Sequence, residues 1–139
     1  MILAASVAAG TVTAFGETVH AACGKGGTIA AAAKREGDGA SPLGTWPIRA
    51  ALLRPDRVAA PVTALPWRWL RADDGWSDGV ADPAYNRPVR HPHAHSAERL
   101  WRDDHAHSAE HLWRDDHAYD IILVLGHNDA PPVPGLGSA

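Results

Sequence analysis

Residues 34 to 46, KREGDGASPLGTW, restrict the possible folds of this chain more than any other stretch. Gly37, Gly39 and Gly44 surround a Ser41-Pro42 step, a composition that fits a tightly turning loop. Glycine admits backbone angles closed to other residues, and proline fixes its own. Lys34, Arg35, Glu36 and Asp38 keep the loop in water, and the chain then enters an apolar run at Trp46.

Short apolar segments between turns continue on both sides, and they read as strands. Thr11 to Phe15 and Val19 to Cys23 flank Gly16-Glu17, the pattern of a β-hairpin with a short turn. Gly24, Gly26 and Gly27 close that unit. Ala30 to Ala33 suffices for one helical turn, because so few alanines do not hold a longer helix. Thr45 to Arg54 is apolar enough for a strand, and strand alternation places Leu65, Trp67 and Trp69 on one face, at the core or its rim. Asp74-Gly75, Asp82-Pro83 and Asn86-Arg87-Pro88 mark a long, turn-rich connection. Tyr119 to Gly126 is the most apolar run and is rich in β-branched residues, which predicts a buried central strand. The expected fold is mainly β, built from sandwich-like mixed sheets with long loops and one short helix.

A chain of 139 residues makes one domain, 1–139. Thirteen basic against sixteen acidic side chains give a net charge of -3, which argues against nucleic acid and against a membrane surface as partners. The first basic residue is Lys25, so the apolar start lacks the positive region of a secretory signal and reads as a mature strand. One cysteine forms no internal disulfide and indicates no redox compartment. Gly135 to Ala139 would lead into another element, and a strand left without that neighbour invites self-association through its edge.

Residues 93 to 104, HAHSAERLWRDD, recur at once as 105 to 116, HAHSAEHLWRDD, differing only at Arg99 and His111. A tandem pair at so short a period is too small for a solenoid and reads as an inserted loop within 93–116. Trp101 and Trp113 would not dock in equivalent pockets, so one copy is expected to pack and the other to bulge outward.

His91, His93, His95, His105, His107, His111 and His117 raise the question of a metal site, imidazole being a good ligand for zinc, copper or nickel. The duplication itself accounts for two of them, and His-x-His spacing without a cysteine or acidic partner is weakly specific, so no metal and no cofactor is expected. Asp103-Asp104 and Asp115-Asp116 read as solvated caps or arginine partners, since sequence neighbours on a strand face opposite ways. Cys23 at the end of an apolar strand reads as a small buried residue. A serine elbow, a phosphate loop, a paired CxxC and a dinucleotide fingerprint are all missing from the sequence.

In order along the chain stand ACGKGG at 22 to 27, KREGDGASPLGTWP at 34 to 47, LRPDR at 53 to 57, DDGWSD at 73 to 78, DPAYNRPV at 82 to 89, ERLWRDD at 98 to 104 and VLGHND at 124 to 129. With these motifs the chain resembles bacterial L,D-transpeptidase catalytic-domain proteins of the YkuD type, specifically the short proteobacterial members. The resemblance covers nearly all 139 residues. It implies work at the bacterial cell wall on peptidoglycan stem peptides: a cysteine thiolate attacks a peptide carbonyl, a histidine activates it, backbone amides hold the oxyanion, and an amine from a second stem resolves the acyl-enzyme. In the family the Gly-Ser-Ala step leads into a strand carrying the histidine and then a Gly-Cys loop, which would lie beyond Ala139. The resemblance therefore implies a domain incomplete at its C-terminus and inactive as this chain, with no catalytic residue among those present. Cys23 does not match the nucleophile motif. Gly39, Ser41, Gly44 and Thr45 are the expected substrate-side loop residues. The alternative reading is a non-catalytic module that binds peptidoglycan fragments or metal.

Overall fold

The computed structural model describes residues 2–93 and 109–139. Among them the protein is mainly β, with several small sheets and no helix longer than one 3₁₀ turn, Ala31–Ala33. No helix among the described residues is long and apolar enough to cross a membrane.

The first sheet is an antiparallel meander of β1 (Ala4–Ser6), β2 (Thr11–Ala14) and β3 (Glu17–His20). The expected hairpin forms, but its turn sits on Phe15-Gly16, one residue earlier than the sequence suggested, because Ala14 pairs with Glu17. Both turn residues have positive φ, 53° for Phe15 and 80° for Gly16. That is the type I′ geometry whose twist matches the flanking strands.

β4 (Thr28–Ala30) and β5 (Ser41–Leu43) form a two-stranded parallel ladder in which Thr28 opposes Ser41 and Ala30 opposes Leu43. The glycine-rich loop lies between them. Parallel strands need a crossover, and here the 3₁₀ turn and residues 34 to 40 supply it.

The third sheet has the order β11-β6-β7, built from β6 (Ile48–Leu53), β7 (Trp67–Trp69) and β11 (Ile121–Leu125). β6 pairs antiparallel with β11 and parallel with β7, so the centre belongs to β6, where Ala51, Leu52 and Leu53 are buried. This corrects the expectation for 119 to 126. β11 is an edge strand, with Ile121 56% and Leu123 37% exposed. Apolarity marked both strands alike, and only the pairing shows which one has neighbours on both sides. Trp67 and Trp69 meet edge to face with ring centroids 5.0 Å apart, and Trp69 is exposed, so the pair forms a rim to the core.

The fourth sheet is antiparallel, β10-β8-β9, from β8 (Asp74–Ser77), β9 (Pro88–Arg90) and β10 (Ala109–His111). Asp74-Gly75 therefore opens a buried strand and is no turn. Gly75 is required there because a Cβ would lie 2.5 Å from His91 Nε2 and 3.0 Å from the Glu110 carbonyl. The aspartate is buried because Arg68 grips its carboxylate at 2.7 and 3.0 Å and the Arg71 amide donates to it at 2.7 Å.

Leu52, Leu70 and Leu112 form the core, with Trp76, Trp113, Tyr119, Ile122 and Val124 against it. Leu112 and Trp113 belong to the second copy of the duplication, which packs into the core. Most of the first copy lies outside the described residues. Arg54 sits 3.9 Å over the Trp113 ring and donates to the Arg114 carbonyl at 2.6 Å, while Arg57 reaches the Asp115 and Asp116 carbonyls and the Asp120 carboxylate. Residues 53 to 57 thus clamp the segment that returns from the duplication into β11. Asp116 pairs with Arg114, in the arginine-partner role expected of that carboxylate.

Candidate functional site

Four separate stretches meet around His127. The first is the charged loop. Lys34 is almost fully buried and its ammonium sits 2.5 Å from Asp38 Oδ1. Asp38 also accepts from the Arg35 and Ala40 amides at 2.8 and 2.9 Å. The bond from Lys34, followed by those two amides, holds the Asp38 carboxyl down at about 2, so a carboxylate is always present to neutralise the lysine.

Tyr85 brings in the second stretch. Its hydroxyl donates to Glu36 Oε2 at 2.6 Å and accepts from the Gly137 amide at 2.8 Å, with the ring only 2% exposed. Burial first, and the Glu36 carboxylate second, push the phenol up to about 12, which keeps it a donor at neutral pH. Asn86, in the left-handed region at φ 54°, donates to the Asn128 carbonyl at 2.6 Å and accepts from Trp76 Nε1 at 2.8 Å. It fixes the third stretch, 124 to 129, against β8.

Asn128 closes the cluster by donating to the Val133 and Gly137 carbonyls at 3.1 and 3.0 Å and accepting from the Val133 amide at 2.7 Å. The fourth stretch, 133 to 137, is therefore held by the side chains of Tyr85 and Asn128 and by the Glu36 amide, which donates to the Gly135 carbonyl at 2.9 Å. His127 lies between them, 8% exposed, with the Trp46 ring edge-on at 4.6 Å. Its Nε2 is buried and has no hydrogen-bond partner. Burial and then the neighbouring Lys34 push its pKa below the ordinary value, so the ring is neutral at pH 7.

The four expected substrate-side residues lie on the flank of this cluster, where Gly39 acts through its backbone and Ser41 through its hydroxyl. The Gly39 carbonyl accepts from Gly26 N at 2.8 Å, and Ser41 Oγ accepts from Gly24 N at 3.0 Å. A Cβ at Gly24 would stand 2.5 Å from the Gly39 carbonyl oxygen, so residues 22 to 27 approach the loop as only glycine allows. Gly44 lies under the Trp46 ring, and Thr45 is exposed. Trp46 is the link between this loop and His127. Sequence reasoning had missed Tyr85, Asn86 and His127 as a unit; they were visible only within separate motifs, DPAYNRPV and VLGHND, and Asn86 also as part of a turn signal.

A second polar group lies on the fourth sheet. Ser77 Oγ donates to Asp82 Oδ2, and His93 Nε2 meets the same oxygen at 2.5 Å. Serine, histidine and aspartate are all present, but the acid stands between the other two. Among the described residues this differs from the order of a hydrolase relay, in which the histidine lies between the serine and the acid. Beside it, the rings of His91 and His111 stack at 3.5 Å. Among the described residues no group of three or more histidine, cysteine or acidic side chains is placed to hold a metal ion. His95, His105 and His107 lie outside the described residues.

Cys23 is half-buried, not fully buried as its sequence position suggested, and its thiol faces the Ala21 carbonyl at 3.7 Å. No imidazole among the described residues shares a hydrogen bond with it.

No family model, curated protein or solved structure matches this chain.

Proposed function

We propose that this chain is a domain of the L,D-transpeptidase type that engages peptidoglycan stem peptides, and that its described residues provide scaffold and cleft wall and not the nucleophile. One observation carries the reading: the stretches whose wording carries the resemblance, in the family's order, are tied to one another by side chains. Tyr85 of DPAYNRPV bonds Glu36 of KREGDG, Asn86 bonds the Asn128 carbonyl of VLGHND, and Trp46 covers His127. Among the described residues Ser41 Oγ accepts from Gly24 and the Cys23 thiol faces only a carbonyl, so neither is set up there for attack on a peptide carbonyl.

The test is retention of the purified chain on insoluble peptidoglycan, followed by mass spectrometry after incubation with a stem-peptide donor. Retention without a covalent adduct is the expected result. Failure to bind above the level of an unrelated β domain of similar charge would overturn the assignment. An adduct on Cys23 would refute the scaffold role and make that thiol the nucleophile.

A further inference from the structure

We infer that this chain self-associates through the outer edge of β11, a second copy adding its own β11 antiparallel about a two-fold axis at Leu123. Backbone direction is the starting point. On β6, Ala51 N donates to the Pro66 carbonyl and the Leu53 carbonyl accepts from Leu70 N, both on the β7 side. Alternation therefore turns Ala50, Leu52 and Arg54 toward β11, and Arg54 N does donate to the Asp120 carbonyl at 2.9 Å. The residues opposite Ala50 and Leu52 are Val124 and Ile122. At the far end Gly126 N donates to the Pro47 carbonyl at 2.8 Å. Asp120, Ile122, Val124 and Gly126 thus direct their backbone groups to β6, and Ile121, Leu123 and Leu125 direct theirs outward. The irregularity at Val124/Leu125 skips Arg49 on β6, so the alternation along β11 is unbroken.

Edges of this kind are normally blunted by proline, charge or bulges. β7 carries Arg68 and follows Pro66, β9 contains Pro88 and Arg90, and β10 contains Glu110. β11 has no charge and no proline from Ile121 to Gly126. It is the unprotected edge of the third sheet.

The occupant follows from symmetry. The outward residues are evenly spaced about Leu123, so a two-fold axis there sets Ile121 against Leu125 and Leu123 against itself. Each such pair exchanges two hydrogen bonds, about six in all, and every outward backbone group of the strand is satisfied. Asp120 falls opposite Gly126, so no like charges meet. The side chains of Ile121, Leu123 and Leu125 lie on the face opposite Ile122 and Val124, which pack on the core. Pairing aligns them with their symmetry mates in one aliphatic strip, where Ile121 and Leu123 are now exposed. An edge this short buries less than the roughly 800 Å² per partner of a permanent interface, so the association is concentration-dependent.

Sedimentation of the full chain across a concentration series should show a reversible monomer–dimer equilibrium. Leu123→Lys sets two ammonium groups face to face and should leave a monomer with unchanged circular dichroism and melting, because Leu123 is exposed and its amide serves no internal bond. A register test stands apart from that variant's folding. In a Cys23→Ser background, mild oxidation of mixed Ile121→Cys and Leu125→Cys chains should give a disulfide-linked heterodimer, while neither chain alone cross-links. The Cα separation of a hydrogen-bonded antiparallel pair, about 5.5 Å, suits a disulfide. A wild-type chain that stays monomeric throughout, a dimer that survives Leu123→Lys, or equal cross-linking in the unmixed chains would each overturn the proposal. Loss of peptidoglycan binding would leave it untouched, since it does not rest on that function.

Discussion

Removing one oxygen from Tyr85 should cost this protein more than most substitutions of a buried leucine by a similar apolar residue. In Tyr85→Phe the ring still fills its site, so packing is conserved, but two hydrogen bonds are lost together. Glu36 is half-exposed and regains water, so its loss is limited to a net hydrogen bond, about 1 kcal/mol. The Gly137 amide is buried, and the phenolic oxygen at 2.8 Å is the acceptor it loses. Leaving such a donor unsatisfied costs about 1–3 kcal/mol. The sum is roughly 2–4 kcal/mol, and for a domain of this size about 4 °C per kcal/mol gives a fall in Tm of roughly 8–16 °C. Urea unfolding followed by tryptophan fluorescence gives the free energy, and a thermal melt gives the second reading. A loss below about 0.5 kcal/mol would show that water reaches Gly137 and that the Tyr85 bridge does not hold residues 133 to 137. Equal m-values in the two proteins are needed for the comparison, since a changed slope would mean a changed unfolded or native ensemble.

Other substitutions and conditions test separate parts of the structure. Phe15→Asn should stabilise the first hairpin by roughly 1 kcal/mol, because Phe15 is 84% exposed yet sits at positive φ, where asparagine before glycine is favoured; an unchanged or lower melting temperature would refute the type I′ assignment. Gly75→Ala should destabilise by about 1–3 kcal/mol, since the new methyl meets His91 and the Glu110 carbonyl, and retention of full stability would show that β8 and β10 are not so close. His91, by burial and then by His111, and His127, by burial and then by Lys34, both have pKa values below the ordinary 6.5. His93 and Asp73 also face His91, and Asp129 faces His127. For a depressed histidine the unfolded chain takes up its proton first as pH falls. Stability is then full above about 6.5 and declines on acidification toward the folded values, at up to about 1.4 kcal/mol per pH unit for each histidine. Urea midpoints at pH 7.5, 6.5 and 5.5 should fall in that order, and a flat or rising series would contradict the burial of both rings.

Local sequence was enough for the mainly β character, the first hairpin, the single short helical turn and the β6 segment, because glycine, proline and alternating apolar residues act over a few neighbours. The wording of residues 34 to 47, 82 to 89 and 124 to 129 was legible as a resemblance, yet nothing local showed that Tyr85 would reach Glu36, 49 residues away, or that Asn86 would carry the Asn128 carbonyl. Those contacts join loops whose ends are set by different sheets. Tertiary structure alone decided that β6, and not the more apolar β11, takes the centre of its sheet, since hydrophobicity states that a strand is to be buried and pairing states on how many sides. It decided equally that Asp74-Gly75 opens a strand. A turn-forming dipeptide becomes strand when an arginine neutralises the buried carboxylate and a histidine occupies the space where glycine has no side chain. His127 shows the limit of local reading most clearly: its isolation from water and its unpartnered nitrogen come from four stretches closing around it, and none of the four carries that information alone.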